Sequence, residues 1–377
     1  MAAFSPSATE SVALCDQCAR VALCSQRRRL LAHYAHFALA RAGDSRHAGA
    51  VMTAHASVKL SDMPGLPVTG VLYNPRSHRN RDSAIVEPDY PVIRVEQPRR
   101  RRDLKDAMQR FVDSGVELLV INGGDGTVRD ALTGGAMVFG DDWPDIAVLP
   151  RGKTNALTID LEMPKSWSLE EAIIAHRDGR RVQRRPMVLE PMDGKELTRL
   201  GFILGAGVFL AAIESGQDAH KFGAFDSLAV AMTTVWGVTQ ALFGGDKNPW
   251  RRGVEARILL GEPMTELERS RYGDPRWRAM IFLSSLSRFP AGLKPFGDAE
   301  GPLRIAVIDH LRRRIVAQMP WVLRGNHSDR LVEAGLHRRS ADRIELDLGD
   351  RFILDGEVFA PGRYCVTPGP LLNFVVP

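Results

Sequence analysis

The chain has 377 residues, of which 44% are hydrophobic and 25% charged, enough apolar sequence for more than one core and so for two globular domains. Its formal net charge of +5 mildly favours an anionic partner without indicating nucleic acid. The most apolar stretch, 222–245, carries Asp226, Gln240 and several threonines, so no segment is an uncharged span of the length a bilayer needs, and the chain reads as soluble or peripheral.

Cys15, Cys18 and Cys24 crowd the N-terminus and Cys365 stands alone near the other end, with no secretory signal ahead of them, which argues against a disulfide framework. Cys15, Cys18, Cys24, His33 and His36 have zinc-ligand chemistry, but their spacing fits no common finger and little apolar sequence surrounds them. A disordered leader over 1–65 is the preferred reading. Because Met52 and Met63 both precede the first strand, residues 1–62 are expected to be dispensable.

From Pro67 the pattern becomes regular. "VTGVLYN" (68–74) and "VIRVE" (92–96) predict strands, and "RDLKDAMQRFVDSG" predicts a helix with Leu104, Met108, Phe111 and Val112 on one face and Gly115 as its C-cap. "VELLVIN" (116–122) is a third strand, followed by "GGDGT" and a helix from Val128. "IAVLP" (146–150) is a fourth strand and "SLEEAIIAHRDG" (168–179) another helix. Strands alternating with helices predict a parallel α/β domain over 66–180. After Arg180 the runs "PMVLE", "RLGFILGAG", "VEARILL", "RWRAMIFLSS", "LRIAVID", "RIELDL", "RFILD" and "RYCVTP" are short and β-rich, predicting a sandwich-like domain over 181–377 whose last segment is allowed to return to the first. Leu228, Met232, Val235, Trp236, Leu242 and Phe243 form a helical stripe, read as packing between domains, with an apolar cleft wall or a membrane-surface face as the sharper alternative.

"VINGGDGTVRD" is the most informative stretch. It lies between a strand and a helix, at the sheet edge where ligands bind in such folds. Gly123, Gly124 and Gly126 let backbone N–H groups approach phosphate oxygens, and the following helix N-terminus favours anions. Asp125 stands inside this anion cradle, which argues for Mg²⁺ or for proton handling. Arg129 occupies the place of a third glycine, so the stretch is not a dinucleotide fingerprint. Downstream, "IAVLPRGKTNAL" ends like a P-loop at Gly152, Lys153 and Thr154, but Ala147 stands where the first glycine belongs, inside a strand.

Gly123-Gly124-Asp125-Gly126-Thr127 resembles the signature of the diacylglycerol kinase and sphingosine kinase catalytic domain, shared more distantly with NAD kinases and phosphofructokinases. Asn74, Pro75 and Ser77 resemble the family's Asn-Pro-x-Ser nucleotide loop. Gly152, Lys153, Thr154 and Asn155 stand in the place of its Leu-Pro-x-Gly-Thr-x-Asn loop, and Asp355, Gly356 and Glu357 match its C-terminal Asp-Gly-Glu. The resemblance spans 68–377 and fits the bacterial lipid-kinase branch better than NAD kinase. The family's Gly-Thr-Gly-Asn-Asp is altered here, with an acidic position lost and Lys153 gained. "FGDAEGPLRIAVID" lacks the usual Asp-Gly-Leu ending, so no structural metal is inferred there.

The resemblance implies an ATP- and Mg²⁺-dependent lipid kinase acting on diacylglycerol or a related lipid, a sphingoid base included. It makes Asp355 the general base and Asp125 the metal or nucleotide carboxylate, with the roles exchangeable. Taken alone, "RFILDGEVFA" is a good hairpin with an Asp-Gly turn. Glu357 shares a face with Asp355 if the strand runs straight through Gly356, where it would hold water, metal or a basic partner. Arg76, Arg79, Arg81, Arg151 and Lys153 are phosphate-contact or solvated residues, and Arg99–Arg102 are read as a solvated charge cluster in preference to a patch that meets anionic lipid headgroups. The expected setting is cytoplasmic and peripheral, with a lipid at the membrane surface and no nucleic acid; a homodimer is compatible. The rivals are an NAD kinase-like small-molecule kinase and a catalytically impaired nucleotide- or lipid-binding module.

Overall fold

Short runs rich in β-branched and other apolar residues build a parallel sheet. In the computed structural model, which describes residues 65–80, 92–194, 197–210 and 253–377, these runs are β1 (Thr69–Tyr73), β2 (Ile93–Glu96), β3 (Leu118–Gly123) and β4 (Asp145–Pro150), all parallel. The leader with its three cysteines, Arg81 and the stripe from Leu228 to Phe243 lie outside the described residues. Between the strands run α1 (Leu104–Asp113), α2 (Asp125–Ala136), the short α3 (Ala156–Asp160) and α4 (Leu169–Arg177). Helix α1 buries Leu104, Ala107, Met108 and Phe111, while Val112, placed on that face by the sequence, is 41% exposed. Gly115 follows α1 at φ +64°, a conformation a Cβ would disfavour. Ser168 and Glu171 close a reciprocal capping box at the start of α4.

β5 (Arg181–Arg184) ends this unit at the sheet edge. Then come β6 (Met187–Pro191), β7 (Arg199–Gly201), β8 (Ile203–Gly207), β9 (Val254–Leu260), β10 (Thr265–Glu266), β11 (Trp277–Arg278), β12 (Met280–Ser284) and β13 (Leu303–Ile308). Helices α5 (Arg313–Leu323) and α6 (Asp329–Glu333) precede β14 (Leu336–Ala341), β15 (Ile344–Leu348), β16 (Phe352–Leu354), β17 (Glu357–Phe359), β18 (Gly362–Pro368) and β19 (Leu372–Val375). They form two antiparallel sheets, ordered β10-β9-β15-β18-β6-β7 and β14-β13-β12-β8-β16-β17. The sheets face one another across a core in which Leu204, Ala206, Ile281, Leu283, Ile305 and Val307 meet Leu189, Ile258, Leu346 and Val366, the alternation of a sandwich.

The last strand does not stay with the sandwich. β19 lies in the first sheet between β4, to which it is parallel, and β5, to which it is antiparallel. The polypeptide therefore crosses from the parallel sheet to the sandwich and back, which fixes the hairpin of β16 and β17 against α2. A second tie comes from Asp160, fully buried at the end of α3. Its carboxylate accepts from the N–H groups of Ser287 (2.7 Å) and Arg288 (2.6 Å) and from Arg184 Nε (2.5 Å).

Candidate active site

Parallel strands bring their C-terminal ends together, so the loops after β1, β3 and β4 share one edge. Asn74 joins the first two: its Nδ2 donates to Thr127 Oγ1 at 2.8 Å, and its Oδ1 accepts from the Arg76 N–H at 3.0 Å. Ser77 is buried and donates its N–H to the Asn74 carbonyl at 3.2 Å. Asn80, which nothing in the sequence singled out, is also buried, and its Nδ2 reaches the Asn74 carbonyl and Asn122 Oδ1, each at 2.9 Å. One loop thus braces the next through side-chain amides rather than through regular structure.

The second and third loops meet backbone to backbone. A Cβ on Gly124 would lie 2.7 Å from the Gly152 Cα, and one on Gly152 would lie 2.6 Å from the Gly124 Cα. Both positions must be glycine for these loops to touch. Gly123 is held for another reason, since a Cβ there would strike the Thr127 side chain at 2.5 Å. Gly126 is different: its nearest atom would be Arg129 Nη2 at 3.9 Å, so its missing side chain leaves open space beside the head of α2.

Asn155 has φ 54°, and its amide is spent inside its own loop, accepting from the Gly152 N–H and donating to the Gly152 carbonyl, each at 2.8 Å. In this arrangement its side chain shapes the loop. Lys153 and Thr154 sit at an exposed tip, with no hydrogen bond among the described residues. Arg79 is tied to the third loop, its N–H donating to the Arg151 carbonyl at 3.1 Å.

Asp125 is the first residue of α2, partly buried. Burial pushes its carboxyl pKa up, opposed by the N–H groups of Leu157, Ala156 and Asn155 at the head of α3. Asp355 faces it from the hairpin. The Asp355 carboxylate accepts from the Phe202 N–H (2.9 Å to Oδ2) and the Ile203 N–H (2.9 Å to Oδ1). A Cβ on Gly201 would stand 2.7 Å from Oδ2. Burial and then repulsion from Asp125 push Asp355 up to about 7, against those N–H donors and the charge of Arg129. A carboxyl near neutrality beside a second carboxyl is chemically suited to taking up and releasing a proton.

The hairpin and the site are the same residues. Asp355 and Gly356 have φ 45° and 83° and form the two-residue turn between Leu354 and its partner Glu357. The chain reverses there, so Glu357 does not continue along the face of Asp355 as a straight strand would require. Instead it is clamped by two guanidinium groups, those of Arg101 and Arg129. Against the upward push of burial, the Arg101 hydrogen bonds and the charge of Arg129 hold Glu357 below its ordinary range. A carboxylate so occupied is a structural partner, not a free base.

Arg129, 2% exposed, is the residue the sequence noted only as a missing glycine. Its Nη1 donates to the Leu354 carbonyl at 3.0 Å and its Nη2 to Asp130 Oδ1 at 2.7 Å and to Glu357. It holds the turn on both sides of Asp355. The only hint in the sequence was the Arg129-Asp130 pair at the start of a helix whose buried residues carry no other charge. Arg101 also departs from the solvated cluster expected of Arg99–Arg102, bonding Asp130 at 3.0 Å as well as Glu357. Beside this network lies a cavity of about 590 Å³, lined among others by Asn74, Thr127, Asp130, Arg76, Arg99 and Arg100. Among the described residues no group of three or more His, Cys, Asp or Glu could hold a metal ion by itself.

Comparison with known proteins agrees with this geometry. Residues 69–185 match the family model of the diacylglycerol kinase catalytic domain. Among curated proteins none matches the chain. Three solved structures, each described as a diacylglycerol kinase from Bacillus anthracis str. Sterne and in two cases only provisionally, are 14%, 15% and 14% identical. Each covers 84% of this chain and 99% of its own, with a TM-score of 0.55. At that identity the likeness shows a common fold, of a parallel α/β sheet followed by antiparallel sheets. The Asn-Pro, Gly-Gly-Asp-Gly-Thr and Gly-Lys-Thr-Asn loops all lie inside residues 69–185, the segment that is similar to the diacylglycerol kinase catalytic domain.

Proposed function

We propose that this protein is an ATP-dependent lipid kinase that transfers the γ-phosphoryl group to a hydroxyl of diacylglycerol or a related single-hydroxyl lipid. One observation carries the reading: a carboxyl held near neutrality, Asp355, faces Asp125 at the head of α2, beside the glycine loop. Phosphoryl transfer to an alcohol asks little covalent chemistry of the protein. It needs the acceptor oxygen in line and a base to take its proton. Asp355 suits that task because its pKa of about 7 matches both the capture of a proton and its later release near neutral pH. The N–H groups of Phe202 and Ile203 fix its carboxylate, so the acceptor hydroxyl meets an oriented base.

The open side of Gly126 and the N-terminus of α2 suit phosphate oxygens, and Arg76, Arg99 and Arg100 line the cavity beyond. The carboxylates of Asp125 and Asp355 repel one another, and a divalent cation near Asp125 would relieve that repulsion. Asp125 is therefore the residue that would hold Mg²⁺, which would supply positive charge to offset that of the phosphates. No described helix is long and apolar enough to cross a membrane, and the lipid would be met at the membrane surface by a peripheral enzyme.

Asp355→Asn tests the reading. Nucleotide affinity, measured by calorimetry, should stay within about threefold, while turnover falls by roughly 10²–10⁴-fold. Wild-type turnover in that variant would remove Asp355 from the chemistry. Asp125→Ala should instead raise the nucleotide or Mg²⁺ requirement sharply; unchanged kinetics would take Asp125 out of the site.

A further inference from the structure

We infer that the outer face of α5 docks this protein on an anionic lipid bilayer. The inference gives the lipid-kinase reading its membrane-facing surface. Ile308, Leu311, Ile315 and Val322 pack α5 onto the third sheet. Its other side is exposed, and Arg314, Ala317, Trp321 and Arg324 follow one another there at helical spacing. Trp321 is 58% exposed, a large apolar area to leave in water. Leu293 and Lys294 extend the patch, the Lys294 N–H donating to the Leu323 carbonyl at 2.7 Å.

Along α5 itself the charge has one sign, with Asp298, Glu300 and Asp329 at its border. Between His310 and Ser328 the chain has four arginines and no carboxylate. Three of them, Arg312, Arg313 and Arg314, stand at the N-terminal end of α5, where the helix dipole disfavours cations, so helix stability does not explain them. The Arg312 guanidinium stacks 3.7 Å over the Tyr272 ring, and a cavity of about 550 Å³ opens among Tyr272, His310 and Arg312–Arg314. An exposed tryptophan on a helix face that also carries Arg314 and Arg324, with Leu293 and Lys294 on the neighbouring segment, has the composition of a surface that sits among anionic headgroups.

Its position relative to Asp355 fits a lipid surface better than a nucleic acid. Arg338 reaches the Asn326 and Gly325 carbonyls just past α5, and it pairs with Ala306, which pairs with Phe282. That row lies two residues along the strands from Ile203, whose N–H holds Asp355. Phe282, Phe289 and Phe296 with Ile203 form an apolar floor on this same outer face, leading from the patch toward Asp355.

The test is co-sedimentation of the full chain with phosphatidylcholine vesicles, with and without phosphatidylglycerol. Wild type should bind the anionic vesicles and lose binding as salt rises. Trp321→Ala and the double variant Arg314→Glu/Arg324→Glu should each weaken binding about tenfold or more, with unchanged melting temperatures because all three side chains are exposed. Failure of wild type to bind anionic vesicles, or equal binding by both variants, would overturn the inference. So would binding of a single-stranded oligonucleotide, but not of vesicles, that these variants lose. Sedimentation needs no turnover, so an inactive wild type would defeat the kinase reading while leaving this result to stand or fall alone.

Discussion

Asp355 concentrates the physical tension of the site. Its carboxyl is pushed up from about 3.8 to about 7, so the folded protein favours the neutral form more than the unfolded chain does. Stability from this group is therefore complete below about pH 4 and is lost as pH rises through about 7. Asp355→Asn removes that loss. The melting temperature of the variant relative to wild type should be higher at pH 8 than at pH 5, and a difference that does not vary with pH would contradict the assignment. The glycines make a second residue-scale contrast. Gly124→Ala meets the Gly152 backbone at 2.7 Å and should cost about 1–3 kcal/mol in urea melts. Gly126→Ala meets open space and should stay within about 0.5 kcal/mol while weakening nucleotide binding. Equal destabilisation by the two would mean that the loops are not packed as described.

At the scale of elements, what the sequence made legible and what it hid have separate causes. β1, β3 and β4 were readable because each is a buried apolar run closed by Asn, Gly or Pro, and β2, a half-exposed edge strand, because Ile93 and Val95 alternate with polar residues. β14 was hidden because "LHRRSA" carries two arginines, one of which, Arg338, turns inward to cap the carbonyls of Pro295 and Asn326. The Asp-Gly turn was readable both as a hairpin and as a site, and it is one piece of chain that is both. The role of Glu357 was not readable, because it depends on Arg101 and Arg129, each more than 200 residues away in sequence. The amphipathic reading of α1 named Val112, which lies at the edge of the stripe, and passed over Ala107, which is fully buried. Removing one partner of the buried clamp should be expensive. Arg129→Met leaves the Leu354 carbonyl without its donor and Glu357 with Arg101 alone, at a cost of about 3–5 kcal/mol. Arg129→Met combined with Glu357→Gln should cost less than the sum of the two single changes, and strict additivity in chemical denaturation would show that the contact is not energetically coupled.

At the scale of the whole molecule, β19 closes the account. It is an interior strand of the first sheet, supplied by the last residues of the chain, with Leu372, Phe374 and Val375 at most 1% exposed. Truncation after Gly369 should therefore unfold the parallel sheet rather than trim a tail, which loss of cooperative melting would report; a truncated chain that melted like wild type would contradict this topology. The same return of the chain places the Asp355 turn over α2, so the glycine loops and the candidate base belong to one unit. The central claim is that this site phosphorylates a lipid hydroxyl. Its most direct test is incubation of the protein with γ-labelled ATP and a total lipid extract, with the labelled product partitioned and identified by mass. The account predicts label in the organic phase on a lipid heavier by one phosphoryl group, and none with Asp355→Asn. Label confined to a water-soluble product, or an organic product formed equally by Asp355→Asn, would contradict it.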